Sequence, residues 1–268
     1  MVYSEYNFSY VEYSNFLMKI SDQNKYKNVT LNDFLQTKTI LPVISLRHDI
    51  DGNIDRALNI AEIEYRHNIN ATYFILHTAD YYGTTQKNYE KHNEEIIPLL
   101  KKLQDDYNHE IGWHNDLVTL DFIYGINPRK YLHTELDWLR ENGIRISGTA
   151  GHGSSFCHKY NYLNQYFFSE YQKPKGKFVN NNFIKGKTGK HRIKKASLNE
   201  FKLNYDAYHL DNNLYYSDSS FTPEKRRWHP GYFNPENLKS GDKAIILTHP
   251  QHWQNMQTTK SQRKEHMN

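Results

Sequence analysis

Short apolar runs alternate with segments of helical period through the first 150 residues, and this alternation constrains the fold more than any other feature of the chain. Leu41 to Leu46 reads as a buried strand, after which Ile54, Ala57, Leu58, Ala61 and Tyr65 recur at helical spacing. Ala71 to Leu76 is a second buried strand, with Asn68 and Asn70 marking the turn before it. A helix is expected from Asn93 to Tyr107 and a third strand from Glu110 to Asn115. A further helix opens on Asn127 and Pro128 and stops at Gly143, and a fourth strand runs from Ile144 to Gly151. Repeated βα units make the strands parallel, because each helical crossover returns the chain to the same end of the sheet, and functional loops then gather at the carboxyl ends of the strands. The expected class is α/β, as a parallel sheet or barrel.

Residues 154–204 break this rhythm, being rich in Asn, Lys and Tyr, and are expected to form a long elaborated loop rather than a second domain. Leu203 to Leu210 and Leu214 to Asp218 read as short strands, and Lys243 to Pro250 as a final buried strand ended by its proline. Residues 1–40 form a helical lead-in with Phe16, Leu17 and Ile20 on one face, residues 41–253 the barrel domain, and residues 254–268 a polar tail. A chain of 268 residues suffices for one large α/β domain, and 22 Tyr and 13 Phe supply core volume. The start lacks the charged and apolar regions of a secretory leader, and no run approaches the ~20 apolar residues that span a bilayer. A cytoplasmic protein without an integral membrane segment is therefore expected. Cys157, the single cysteine, excludes an intramolecular disulfide and any multi-cysteine zinc site.

The net charge of +4 is modest, and much of the excess lies between Lys173 and Lys195. Gly186, Lys187 and Thr188 look like part of a phosphate-binding loop, but that motif needs a glycine five positions before Gly186, where Asn181 stands. One basic run without interleaved aromatics does not point to nucleic acid, and none is expected as a partner.

The strand ends carry the chemistry. In Arg47-His48-Asp49-Ile50-Asp51, alternation puts Arg47, Asp49 and Asp51 on one face where the strand surfaces. His114 and Asp116 close the third strand, His152 the fourth and His249 the last. Taken singly each has an ordinary explanation: Asp51 can cap the following helix, Arg47 can pair with Asp49, and most of 15 histidines must be surface or core residues. On a parallel sheet they converge on one mouth, and carboxylate with imidazole is the ligand set of a catalytic zinc or related divalent ion.

Three segments, Arg47 to Asp51, Glu110-Ile111-Gly112-Trp113-His114 and Leu247-Thr248-His249-Pro250, resemble the motifs of the polysaccharide deacetylases, in particular a divergent intracellular branch associated with surface-polysaccharide biosynthesis. The resemblance spans residues 41–253 and implies a distorted (β/α)7 barrel, a single domain with a long inserted loop. It implies metal-dependent hydrolysis of an N-acyl group, N-acetyl foremost, on a sugar, with zinc the expected ion. Carried over, it makes Asp49 the general base, Asp51 and His114 metal ligands, and His249 the general acid. This chain departs from the pattern in having Ile50 between the acids, and Val118 where members carry a second metal histidine. His152 is favoured over Asp116 as the third ligand, since imidazole restores two histidines and one carboxylate. Arg47 substitutes for the arginine that steadies the base, with Arg227 a weaker candidate, and Asp116, Asp218 and Trp253 are candidate substrate contacts. The sugar is expected on a nucleotide or lipid diphosphate, for which Lys185, Lys187, Lys190, Arg192, Lys194 and Lys195 supply charge. The alternatives are a barrel that has lost catalysis and binds carbohydrate or serves as a scaffold, and a deformylase or non-sugar amidase.

Overall fold

Parallel strands joined by helices are what the chain builds. The computed structural model describes residues 8–83, 92–171, 182–186, 189–218 and 233–254. In chain order these form α1 (Tyr10–Ile20), β1 (Lys27–Asn28), α2 (Leu31–Phe34), β2 (Val43–Ile50), α3 (Ile54–Arg66), β3 (Thr72–Leu76), α4 (Ile96–Lys101), β4 (Glu110–Asn115) and α5 (Leu117–Tyr124). Then follow α6 (Pro128–Glu141), β5 (Ile146–Gly151), α7 (Ser155–Tyr160), β6 (Phe183–Gly186), β7 (Gly189–Arg192), β8 (Tyr205–Asp206), β9 (Leu214–Ser217) and β10 (Lys243–Thr248). The chain groups into two compact units, one drawn from Met1–Tyr73, Asp105–His109 and Asp211–Asn268, the other from Phe74–Gln104 and Glu110–Leu210.

In the first unit the strand order is β3-β2-β10-β9, with β1 also on β2. β10 runs parallel to both of its neighbours, placing Leu247 opposite Arg47 on one side and opposite Ser217 on the other. Every residue of β2 is buried, so the strand is covered on both faces, and Arg47, His48 and Asp49 lie within it. The lead-in helix α1 belongs to this core: Tyr13, Phe16, Leu17 and Ile20 face inward at helical spacing. A capping box at its start has Ser9 accepting from the Glu12 N–H while the Glu12 side chain accepts from the Ser9 N–H. Asn53, not Asp51, caps α3, its side chain accepting from the Arg56 N–H.

In the second unit the order is β8-β5-β4-β3, and both β4–β5 and β5–β8 are parallel. Two glycines make room for rings: a Cβ on Gly112 would stand 2.3 Å from Phe74, and one on Gly148 2.1 Å from Tyr205. Helix α6 opens with the Asn127 side chain accepting from Arg129 and Lys130, and ends before Gly143 at φ +82°. The expected helix from Asn93 is shorter: α4 starts at Ile96 and passes into a π-turn at Lys102–Asp106. The expected strand at Leu203 to Leu210 contracts to β8, because Ala207–His209 tightens into a 3₁₀ turn capped by Asp206. The elaborated region contains α7 and an antiparallel β6–β7 hairpin, neither anticipated from sequence, and α5 was likewise not anticipated. Among the described residues no helix is long and apolar enough to cross a membrane.

Candidate active site

Register in the first unit delivers one group of chemical side chains. Thr248 pairs with His48, so His249 emerges beside Asp49, and Asp218 follows β9 on the other flank of β10. Arg47 donates through Nε and Nη2 to the two carboxylate oxygens of Asp49, at 2.8 and 2.7 Å, with both side chains buried. This planar, two-point pairing fixes the orientation of the carboxylate. Asp51 is partly exposed, takes a 3.4 Å hydrogen bond from Gln251, and has an oxygen 3.8 Å from His249 Nε2.

His249 is held from behind. Its Nδ1 meets Asp218 Oδ1 at 2.5 Å, and its backbone N–H donates to Asp218 Oδ2 at 2.7 Å. His252 Nδ1 lies 3.0 Å from that second oxygen. Burial works against a charged imidazole at His249, but the hydrogen bond and charge of Asp218, with the charges of Asp49 and Asp51, outweigh it and raise its pKa to about 9. Asp218 is likewise opposed by burial, yet His249 and His252 hold its carboxyl below the usual range. Asp218, His249 and His252 have the composition of a metal-binding group, but here the carboxylate is occupied in hydrogen bonding both rings.

Two of the expected substrate contacts therefore have other work. Asp218 has a fully buried side chain and orients His249. Trp253 is also fully buried, its ring 5.1 Å from Phe8 and 4.7 Å from Tyr13, so it serves the core beneath α1.

On the opposite face of β2, His48 joins a buried polar cluster. Its Nε2 meets Glu64 Oε1 at 2.7 Å and its Nδ1 meets Thr248 Oγ1 at 2.5 Å. Glu64 also accepts from the Tyr13 hydroxyl and, at 2.6 Å, from the Tyr73 hydroxyl. Sequence reading missed this cluster, although Glu64 stands on the apolar stripe of α3 with Ala57, Ile60 and Ala61, an anomaly that marks a buried, paired acid.

In the second unit the β4–β5 register places His114 opposite Ala150, and His114 Nδ1 lies 2.9 Å from the Ala150 carbonyl. A carbonyl only accepts, so Nδ1 carries the proton and Nε2 the lone pair, the tautomer a metal ligand requires. His152 follows β5 directly, its N–H donating to Asn115 O at 2.8 Å, and its ring centroid lies 5.1 Å from that of His114. Asp116, considered both as third ligand and as substrate contact, is buried and accepts from Thr78 Oγ1 at 2.9 Å and Asn164 Nδ2 at 2.8 Å. Its Oδ1 is 3.6 Å from His152 Nδ1, so it supports the His152 ring rather than facing a substrate. His77 accepts the Asp116 N–H through Nε2 at 3.0 Å and stacks on Trp113. Burial, only partly offset by Asp116, lowers its pKa to about 3 and keeps it a neutral acceptor. Asn164, which binds Asp116 and the carbonyl of His152, had no sequence signal.

Lys187 and Arg227 lie outside the described residues. Comparison of the chain with protein-family models, with curated proteins and with solved structures gives no match.

Proposed function

We propose that the protein is a metal-dependent amide hydrolase that removes an N-acyl group, N-acetyl foremost, from a sugar, with Asp51, His114 and His152 holding a divalent ion, zinc foremost. The observation that carries this reading is the pairing on adjacent strand ends of a proton donor and a proton acceptor: His249 backed by buried Asp218, and Asp49 clamped by Arg47. The ligand set is supported by its composition and by the tautomer of His114. A bound divalent ion supplies Lewis acidity towards the amide carbonyl.

Asp49 accepts a proton from the attacking water as its oxygen bonds to the carbonyl carbon. Arg47 keeps that carboxylate aimed. His249 gives its Nε2 proton to the sugar nitrogen as the C–N bond breaks, so the products are a carboxylic acid and an amine, and proton exchange with solvent returns Asp49 and His249 to their starting forms. Asp218 stabilises the imidazolium before transfer and fixes the ring.

The test combines metal titration of purified protein with assay of acetate released from a panel of N-acetyl sugars. His114→Ala should abolish tight metal binding, and Asp49→Asn should keep metal while cutting turnover by ~10²–10⁴. A protein that binds no divalent metal overturns the hydrolase reading in favour of a carbohydrate-binding or scaffold role. Loss of metal in Asp49→Asn with retention in Asp51→Asn would exchange the two acids, and preferential release of formate would make the enzyme a deformylase.

A further inference from the structure

The β6–β7 hairpin of the second unit has two unlike faces. Ile184 is buried on one of them, and on that side His191 Nε2 meets Asp121 at 2.9 Å. The other carries Phe183, Lys185, Lys190 and Arg192, all exposed. Antiparallel register sets Phe183 directly opposite Arg192 and Lys185 directly opposite Lys190. Like charges facing each other across a ladder destabilise it, so folding alone does not account for this arrangement. Lys194, two residues beyond Arg192, reaches Asp121 at 3.2 Å, but that acid is already shared with His191. Among the described residues no carboxylate pairs with Lys185, Lys190 or Arg192.

Beside this face is a cavity of about 530 Å³ lined by Asn182, Phe183, Arg192, Ile193, Lys194 and Lys195. The volume falls in the range of small-molecule sites. Phe183 is 42% exposed, a large uncovered ring among cations. A ligand matching both features has a compact multiple negative charge joined to a flat apolar group.

We propose that the hairpin face and its cavity bind a nucleoside diphosphate, the diphosphate against Lys185, Lys190 and Arg192 and the base against Phe183. Guanidinium suits the two-point geometry of phosphate oxygens, the lysines add point charge, and an aromatic face accepts any base by stacking. Single-stranded nucleic acid offers the same groups, but it is held on successive aromatic platforms along a groove, whereas this face has one ring and a cavity of small-ligand size. Binding here does not depend on the hydrolytic reading. Only the further step, in which the nucleotide carries the acyl sugar, rests on it.

The experiment is calorimetric titration of the full chain, without added divalent metal, by uridine diphosphate and adenosine diphosphate. Inorganic pyrophosphate, uridine and a single-stranded oligonucleotide are run in parallel. Both nucleotides should bind, at least ~10-fold tighter than pyrophosphate or uridine, and binding should weaken as salt is raised. The double variant Lys190→Gln, Arg192→Gln should lose ~10-fold or more for both nucleotides, and Phe183→Ala should weaken the nucleotides while leaving pyrophosphate unchanged. These side chains face solvent, so circular dichroism melts should match the parent protein and separate lost binding from lost folding. Failure of both nucleotides to bind, tighter binding of the oligonucleotide, or nucleotide binding unmoved by either variant would overturn the proposal. No turnover is read, so such a failure leaves the hydrolytic reading standing, and failure of the metal titration leaves this one standing.

Discussion

Glu64, an acid on the buried face of α3, accepts hydrogen bonds from Tyr13, Tyr73 and His48. Burial is the largest influence on it and opposes its charge, but His48, His109 and Tyr13 together hold its carboxyl below the usual value near 4.5. A native value below the unfolded one contributes stability that is complete above about 4.5 and drains as pH falls through the native value. His109 adds to the same trend. Its Nε2 lies 3.1 Å from the Ala61 carbonyl and its Nδ1 accepts the Ala71 N–H at 3.0 Å, so burial favours the neutral ring and protonation would break the second bond. Stability should therefore begin to fall below the ordinary histidine value of 6.5 and fall more steeply below 4.5. Glu64→Gln leaves one acceptor oxygen for three donors and should cost about 3 kcal/mol at neutral pH, with a flatter acid limb in denaturant titrations run against pH. The clamp on Asp49 makes a second expectation at this scale. Arg47→Lys replaces a planar fork with a point charge and should lower turnover while leaving metal affinity unchanged.

At the scale of elements, packing around strand glycines is the sharpest constraint. Gly148 on β5 lies against the ring of Tyr205 on β8, whose hydroxyl donates to Glu110 at 2.7 Å. Gly148→Ala should displace that ring and cost roughly 1–3 kcal/mol, seen as a lower melting temperature, and Tyr205→Phe in the same background should not restore it. Strands β2, β3, β4, β5, β9 and β10 and the two long helices α3 and α6 were legible in the sequence because their apolar period and caps are local. The strand-end placement of Asp49, Asp51, His114, His152 and His249 was legible because the strands that carry them were themselves recognisable. The sequence offers Asp218 as a substrate contact after β9 and not as the partner of His249, because that pairing depends on which strand lies beside β10, a fact of topology that no local pattern holds. The packing of Trp253 was hidden for the same reason: its neighbours Phe8 and Tyr13 are distant in sequence. Helix α5 follows β4 after Asp116 alone and has nearly every residue of its first turns buried, so it lacks the amphipathic period that reveals a helix.

For the molecule as a whole, a ligand bound only by the folded state adds stability by mass action. Divalent metal at a hundred times its dissociation constant should add about 2.7 kcal/mol, or roughly 5–10 °C in melting temperature for a chain of this length. His114→Ala should melt at the same temperature with and without metal, and a metal-induced rise that survives in this variant would place the ion elsewhere. The single cysteine bears on how all these measurements are made. Cys157 is buried, and burial pushes its thiol above the ordinary value, so it is poor in the thiolate that reacts with alkylating reagents. The protein is thus a naturally silent background for thiol chemistry, and a cysteine introduced on the exposed hairpin face, at Lys185 for example, would take a fluorophore at one position without any other site having to be engineered away.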